Sequence, residues 1–313
     1  MKTIKKNLIL GLVTGASFLI CTGAYSQQHP IFTQYMFNGL VLNPAYSGSH
    51  ESATLTASYR KQWTGINGAP QTTVFSGHSP IKFTRSAAGL VAMNDRLGVT
   101  NQYMIYGTYA YRIPLSENAK LSVGGQAGVT YYKMNLTDLD VVTSTGQADP
   151  AFAKNEGRFL PNLGIGIYYY SKKSYVGLSL PTIINNKFNN QDALMKARQE
   201  RHYFLSAGHV FDLSPDLKLK PNVLLKWVEN GPFQYDINAN LFIKSILWVG
   251  VSYRMQDSVD GLLEWLVNDQ LSFGYSYGYP TNALTSLQSG THEIVLNYRI
   301  KRNKNIILSP RYF

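Results

Sequence analysis

The clearest pattern in the chain is a strict alternation of apolar and polar residues, and the stretch 233–244 shows it best. A period of two predicts a β-strand with one apolar and one polar face. A strand of a soluble sheet needs only about 5 or 6 residues, whereas about 10 tilted residues cross the hydrocarbon core of a bilayer. The pattern therefore predicts a membrane-crossing strand. Its lipid-facing residues are Phe233, Tyr235, Ile237, Leu241 and Ile243, and its lumen-facing residues are Gln234, Asp236, Asn238 and Asn240.

Similar patterns recur along the chain and predict fourteen strands. The predicted ranges are 53–63, 69–78, 86–94, 99–113, 119–134, 160–170, 174–183, 201–212, 216–228, 233–244, 246–255, 259–267, 271–279 and 292–300. An even number places both ends of a bacterial barrel on the periplasmic side. The stretch 259–267 is the least regular, because both of its faces are apolar, and a short helix there would break the count.

The lengths of the connections support the same architecture. Successive connections of an antiparallel barrel lie at opposite ends of it. When the strands are counted along the chain, one end receives the short connections 114–118, 171–173, 213–215, 244–245 and 268–270. The other end receives the long connections 135–159, 184–200 and 280–291. In outer-membrane barrels the periplasmic turns are short and the surface loops are longer. We therefore expect the three long connections to lie on the outer side.

The composition agrees with a membrane barrel. Only 15% of residues are charged, and the chain holds 22 Tyr and 26 Gly. The mean hydropathy is −0.15, and beyond residue 26 the sequence has no run of the ~18 apolar residues that a transmembrane helix needs. The predicted fold is an all-β, transmembrane antiparallel barrel of about 14 strands in the outer membrane.

The first residues have the pattern of a cleavable signal peptide. Lys2, Lys5 and Lys6 precede an apolar run at 8–20, and Ala24-Tyr25-Ser26 is a small-x-small cleavage site. The alternative is a lipoprotein signal at Cys21, although Ile20 stands where a small residue is expected. We expect a signal peptide at 1–26, an N-terminal segment at 27–50, and a barrel with a periplasmic tail at 51–313. The turn formers of segment 27–50 leave two places open to it, the barrel lumen and the periplasmic rim.

Candidate catalytic and metal-binding groups are few. Cleavage after Ser26 removes the single cysteine, and His202 and His209, seven residues apart, fall on opposite faces of a strand. Ser206 with His209 suggests a membrane-embedded hydrolase, but the spacing matches no catalytic signature. We therefore predict a protein that is not an enzyme and that has no metal and no cofactor.

Charge points to partners of a different kind. The net charge of +11 would suit nucleic acid, but the chain is predicted to be exported and its aromatic residues follow strand spacing. Two clusters of basic residues remain. Lys196, Arg198 and Arg201 lie in a predicted outer loop and suit lipopolysaccharide phosphates. Arg299, Lys301, Arg302, Lys304 and Arg311 form a periplasmic tail that suits an acidic partner.

Five short motifs follow one another along nearly the whole mature chain. They read Gln34-Tyr35-Met36-Phe37-Asn38, Leu42-Asn43-Pro44-Ala45-Tyr46-Ser47-Gly48, Tyr59-Arg60-Lys61-Gln62-Trp63, Gly68-Ala69-Pro70-Gln71-Thr72 and His292-Glu293-Ile294-Val295-Leu296-Asn297-Tyr298. In this order, the motifs resemble the PorP/SprF family of type IX secretion system membrane proteins.

The resemblance implies a non-enzymatic outer-membrane component of the type IX pathway. It implies support for secretion or surface anchoring of cargo, such as gliding-motility adhesins, through their C-terminal domains, with periplasmic lipoprotein or peptidoglycan-associated partners. The motif residues that suit partner binding are Tyr35, Asn38, Asn43, Pro44, Tyr46, Arg60 and Trp63, and internal packing is the alternative role for them. The polar inner faces alone leave a second function open, that of a porin or small-solute channel.

Overall fold

The computed structural model describes residues 32–139, 152–186, 199–229 and 231–300, and these form one antiparallel sheet. The predicted signal peptide, Lys196, Arg198 and the basic tail from residue 301 lie outside the described residues. The strands are β1 (Ala53–Lys61), β2 (Gln71–Pro80), β3 (Ser86–Leu97), β4 (Thr100–Ser116), β5 (Ala119–Met134), β6 (Glu156–Ser171), β7 (Ser174–Leu180), β8 (His202–His209), β9 (Phe211–Ser214), β10 (Leu217–Val228), β11 (Gln234–Ile243), β12 (Leu247–Arg254), β13 (Ser258–Leu266), β14 (Leu271–Pro280) and β15 (Thr291–Ile300).

The sheet closes on itself as a barrel. Consecutive strands pair along the chain, except that β8 pairs with β10 and not with β9, and β15 pairs with β1 from Ala53↔Ile300 to Lys61↔His292. β8 and β9 both pair with β10 and are separated only by Val210, whose N–H donates to the Lys173 carbonyl at 2.7 Å. The fifteen segments thus make fourteen staves, because β8 and β9 are two parts of one stave. The predicted barrel of about fourteen strands is confirmed.

Alternating burial shows which face of each strand lies inside. On β11, Ile237 is 52% exposed, whereas Asn238 is 2% exposed. Asp236 and Asn240 are buried in the same row of inward positions, and Gln234 is half-buried at the end of the strand. The irregular stretch 259–267 also forms a strand, since β13 alternates in the same way and buries Asp260 and Glu264.

The two rims differ in the lengths of their connections. One rim, called the inner rim below, carries the short turns 117–118, 172–173 and 215–216 together with the start of β1 and the end of β15. The opposite or outer rim carries the long connections 135–155, 181–201 and 281–290. Short periplasmic turns and long surface loops are the arrangement of outer-membrane barrels.

Short 3₁₀ turns are the helical elements of the described residues. They are Tyr35–Phe37, Gly39–Val41, Pro44–Tyr46, Leu136–Asp138 and Ala283–Ser286. None of the helices in the described ranges is long and apolar enough to cross a membrane.

Candidate functional site inside the barrel

Residues 32–50, called the lumen segment below, fold as three consecutive 3₁₀ turns before β1 begins. Asn43 caps the third turn, because its Oδ1 accepts from the Ala45 N–H at 2.9 Å. Pro44 follows at the first position of that turn, where its missing N–H costs nothing. The Asn43-Pro44 pair thus fixes the local fold, as its turn chemistry predicts.

The lumen segment lies inside the barrel, since it contacts inward-facing groups around the whole circumference. The Asn38 Oδ1 accepts from Ser76 of β2 at 2.9 Å, and the Tyr35 hydroxyl accepts from Asn238 of β11 at 3.0 Å. The Ser47 and Thr108 hydroxyls share a hydrogen bond of 2.7 Å. Of the two places that the sequence leaves open for residues 27–50, the described part therefore occupies the lumen.

Apolar packing holds the lumen segment on two sides of the barrel. One buried cluster joins residues of the segment to β2–β4, β6 and β7, and the other joins them to β8 and β10–β13. The first cluster contains Phe32, Leu40, Val41, Ala45 and Tyr46 with Val74, Val91, Met93, Met104, Tyr106, Tyr168 and Tyr175. The second contains Tyr35, Met36, Phe37 and Leu42 with Phe204, Leu224, Phe242, Trp248 and Leu262. Burial of this apolar area stabilises the segment in the lumen.

A notch of glycines in the wall receives the third turn. Asn43 Nδ2 donates to the Ile167 and Leu178 carbonyls at 3.0 and 3.4 Å. A Cβ at Gly166 would overlap the Asn43 amide, and one at Gly124 would come within 2.6 Å of the Ala45 Cα. Close approach of two backbones is a common reason for a glycine inside a strand. The notch explains these glycines better than wall curvature alone.

Glu293 anchors the beginning of the segment near the outer rim. The N–H groups of Thr33 and Gln34 donate to its two carboxylate oxygens at 2.8 and 2.9 Å. Arg60 of β1 is buried beside it, with 3.9 Å between Arg60 Nε and Glu293 Oε2. The two hydrogen bonds from Thr33 and Gln34 to the carboxylate are charge-assisted, and such bonds are stronger than neutral ones. From this anchor in the outer half of the barrel, the segment runs to Ser47, near the inner rim.

The opposite wall is a polar network on β10–β12. Arg254 Nε and Nη2 donate to Asp236 Oδ2 at 3.0 and 2.9 Å, and the Ser252 hydroxyl donates to Asp236 Oδ1 at 2.6 Å. The Asn238 Oδ1 accepts from Asn222 at 2.7 Å and from Asn240 at 2.9 Å. These partners satisfy buried polar groups that would otherwise be costly. The network orients the Asn238 amide toward Tyr35 of the lumen segment.

The structure brings together most of the motif residues that the sequence singles out. Tyr35, Asn38, Asn43, Pro44, Tyr46 and Arg60 are all buried, and Trp63 is half-buried. The first five belong to the lumen segment, Arg60 lies beside Glu293, and Trp63 lies on the outer rim. A partner could reach the buried six only if the lumen segment moved.

The sequence pattern predicts that Asn238 faces the lumen, but it does not connect the motifs of residues 34–48 to the residues that receive them. Glu293, Gly166 and Asn238 lie on β15, β6 and β11, far from residue 43 in the chain. Glu293 and Asn238 carry a signal, because a polar group at an inward strand position needs a partner.

Catalytic and metal-binding chemistry gains no support from the described residues. His202 is buried, whereas His209 lies on the other face and shares a 2.6 Å hydrogen bond with Ser174. Ser206 lies four residues after His202 on β8 and therefore shares its inward face. Ser206 and His209 are thus on opposite faces of the strand. Within the described ranges, no cluster of three or more metal-ligating side chains occurs.

The outer rim presents an accessible surface built from two connections, 62–70 and 281–290, called the rim platform below. The Thr64 N–H donates to the Gly290 carbonyl at 2.8 Å, and the Ser289 N–H donates to the Thr64 carbonyl at 2.6 Å. Trp63 has a φ of 48°, and Leu287 is 65% exposed. A left-handed backbone at a bulky residue is strained and persists only where its surroundings hold it.

Comparison with known proteins identifies a family and a set of similar folds. A family model described as type IX secretion system membrane protein PorP/SprF matches residues 24–298. No curated protein matches the chain. Among solved structures, a Pseudomonas aeruginosa FadL homologue has a TM-score of 0.48 at 13% identity, covering 86% of this chain and 94% of that chain. The CymD monoaromatic hydrocarbon channel has a TM-score of 0.47 at 13% identity, covering 84% of this chain and 91% of that chain.

Proposed function

The chain belongs to the PorP/SprF family of type IX secretion system membrane proteins, and from that premise we propose that it binds secreted cargo at the outer rim. The cargo is expected to be a protein such as a gliding-motility adhesin, held through its C-terminal domain for secretion or surface anchoring. The observation that carries the proposal is the filled lumen beneath an accessible rim platform. The protein acts by binding and without catalysis.

The filled lumen argues for binding at the rim rather than passage through the barrel. A polypeptide or solute that crossed the lumen would have to displace residues 32–50. Displacement would break the bonds of Asn43 to the β6 and β7 carbonyls and those of Thr33 and Gln34 to Glu293. The same contacts count against the porin alternative, since a porin keeps a water-filled interior.

The rim platform has the chemistry of a protein-binding surface. Leu287 is an exposed apolar side chain, and the half-buried indole of Trp63 lies on the adjoining connection. A few residues, most often Trp, Tyr and Arg, contribute most of the binding energy at many interfaces, and Trp63 is of this type. The backbone hydrogen bonds between connections 62–70 and 281–290 support this surface.

A periplasmic partner is proposed for the inner rim. The turn between β2 and β3 holds Phe83, which is fully exposed and has a φ of 59°. Lys82 and Arg85 flank it, and both are exposed. An aromatic side chain between two cations suits an acidic surface on a lipoprotein or a peptidoglycan-associated protein.

Co-purification tests both contacts in one design. A tagged barrel is purified from detergent-solubilised membranes, and its partners are identified by mass spectrometry. Leu287→Arg is expected to remove cargo proteins and to leave periplasmic partners in place, because it places a charge on the platform. Phe83→Ser is the matched control on the opposite rim and is expected to have the reverse effect.

Two results would contradict the proposal. One is recovery of the same cargo domains with Leu287→Arg as with the unaltered barrel. The other is normal export and surface retention of cargo in a strain that lacks the barrel.

A further inference from the structure

A row of cations faces lipid along the outer rim. Cross-strand pairing joins Lys61 of β1 to Gln71 of β2, Gln71 to Arg96 of β3, Arg96 to Asn101 of β4 and Asn101 to Lys133 of β5. Directly paired residues of a sheet share one face. Lys61, Arg96 and Lys133 therefore form one outward row. Adjacent strands are ~4.8 Å apart, so the three cations are spaced at ~10 Å.

Within the described ranges, these cations have no protein counter-ion. In the described part of the chain, none of the three makes a salt bridge, whereas Arg60, which neighbours Lys61 on the inward face, lies beside Glu293. Asp95, next to Arg96, faces inward and accepts a hydrogen bond from Thr72 at 2.6 Å. The outward row is thus an uncompensated positive surface at the level where lipid head groups begin.

An apolar groove lies below the row on the same strands. It has a volume of about 670 Å³, and it opens toward lipid between β15 and β3. Ala57, Gly77 and Ala92 form its floor, because their side chains are small or absent. Phe75 and Leu90, which are 62% and 54% exposed, stand beside them.

The two features have the relative position of the two parts of a lipid. Lys61 and Ala57 are four residues apart on β1, which corresponds to ~13 Å along the strand. Between them on the same face, Tyr59 pairs with Thr73, and Thr73 pairs with Asn94. Polar groups at this intermediate level suit sugar or amide groups of a glycolipid, and the groove below suits an acyl chain.

We propose that strands β1–β3 hold one lipopolysaccharide molecule of the outer leaflet. A phosphate of its lipid anchor contacts Lys61 and Arg96, and one of its acyl chains lies over Ala57, Gly77 and Ala92. The long connections place this rim at the outer leaflet, and this placement favours a glycolipid over a phospholipid. The site is independent of cargo binding, because its residues face lipid and not the rim platform.

Native mass spectrometry of the purified barrel after detergent exchange tests the site, since the masses of lipopolysaccharide and phospholipid differ. The unaltered barrel is expected to retain one lipopolysaccharide molecule. The double variant Lys61→Gln with Arg96→Gln is expected to bind it about 30-fold more weakly, which is about fivefold for each cation. Ala57→Trp is expected to reduce retention without a change in charge, because the indole fills the groove.

The matched control is Lys172→Gln with Lys244→Gln, which removes two exposed cations from connections of the inner rim, away from the row. It is expected to retain lipid like the unaltered barrel. Heat-modifiable gel migration confirms that each variant is folded. Unchanged retention in the Lys61 and Arg96 double variant, an equal loss in the control, or retention of a phospholipid in place of the glycolipid would overturn the proposal.

Discussion

Asn43 can dock against the barrel wall because Gly166 has no side chain. The Asn43-Pro44 pair shapes the third turn, but only the glycine notch allows this turn to approach β6 and β7. Turn chemistry is local, so the sequence predicts the shape of the turn. The notch is formed by β5, β6 and β7, which lie far from residue 43 in the chain. The sequence therefore does not predict where the turn binds.

Gly166→Ala is expected to lower the free energy of unfolding by about 1–3 kcal/mol, because the added Cβ overlaps the Asn43 amide. It is also expected to make residues 32–50 more accessible to protease. Gly261→Ala on β13 is the control, since a Cβ there has no neighbour within 4 Å. Urea unfolding and limited proteolysis measure the two effects. Equal shifts for both variants would argue against the notch.

Alternation along single strands accounts for most of what could be predicted of the barrel. All fourteen predicted staves occur, because the lipid and the filled lumen impose opposite requirements on neighbouring residues. The stave predicted at 201–212 is broken at Val210, whose N–H turns to the Lys173 carbonyl. Apolar alternation continues through such a break, and the sequence therefore does not reveal it.

Strand β11 allows a test of its depth in the membrane. Ile237 lies near the middle of the strand and faces outward, whereas Ile243 is its last residue at the inner rim. Ile237→Lys is expected to lower the free energy of unfolding by about 2–4 kcal/mol, and Ile243→Lys is expected to lower it by only about 0–1 kcal/mol. Reversible unfolding in lipid vesicles measures both. Equal costs would show that β11 does not cross the membrane as assigned.

The whole molecule combines a membrane barrel with a lumen that its own N-terminal residues fill. The motifs at 34–72 lie in different parts of the molecule. Residues 34–48 fill the lumen, and Arg60 forms an ion pair with Glu293, which anchors them. Residues 62–70 belong to the rim platform. The sequence motifs group these residues between positions 34 and 72. Only the closed fold shows that one part of this group is internal and another part accessible.

Single-channel conductance in planar bilayers tests the filled lumen most directly. The unaltered barrel is expected to show little conductance, because residues 32–50 occupy the interior. A variant with residues 33–47 replaced by a Gly-Ser linker is expected to conduct like an open barrel of this size, with its folding checked by heat-modifiable migration. Steady, large conductance from the unaltered barrel, equal to that of the linker variant, would contradict the account and favour a channel.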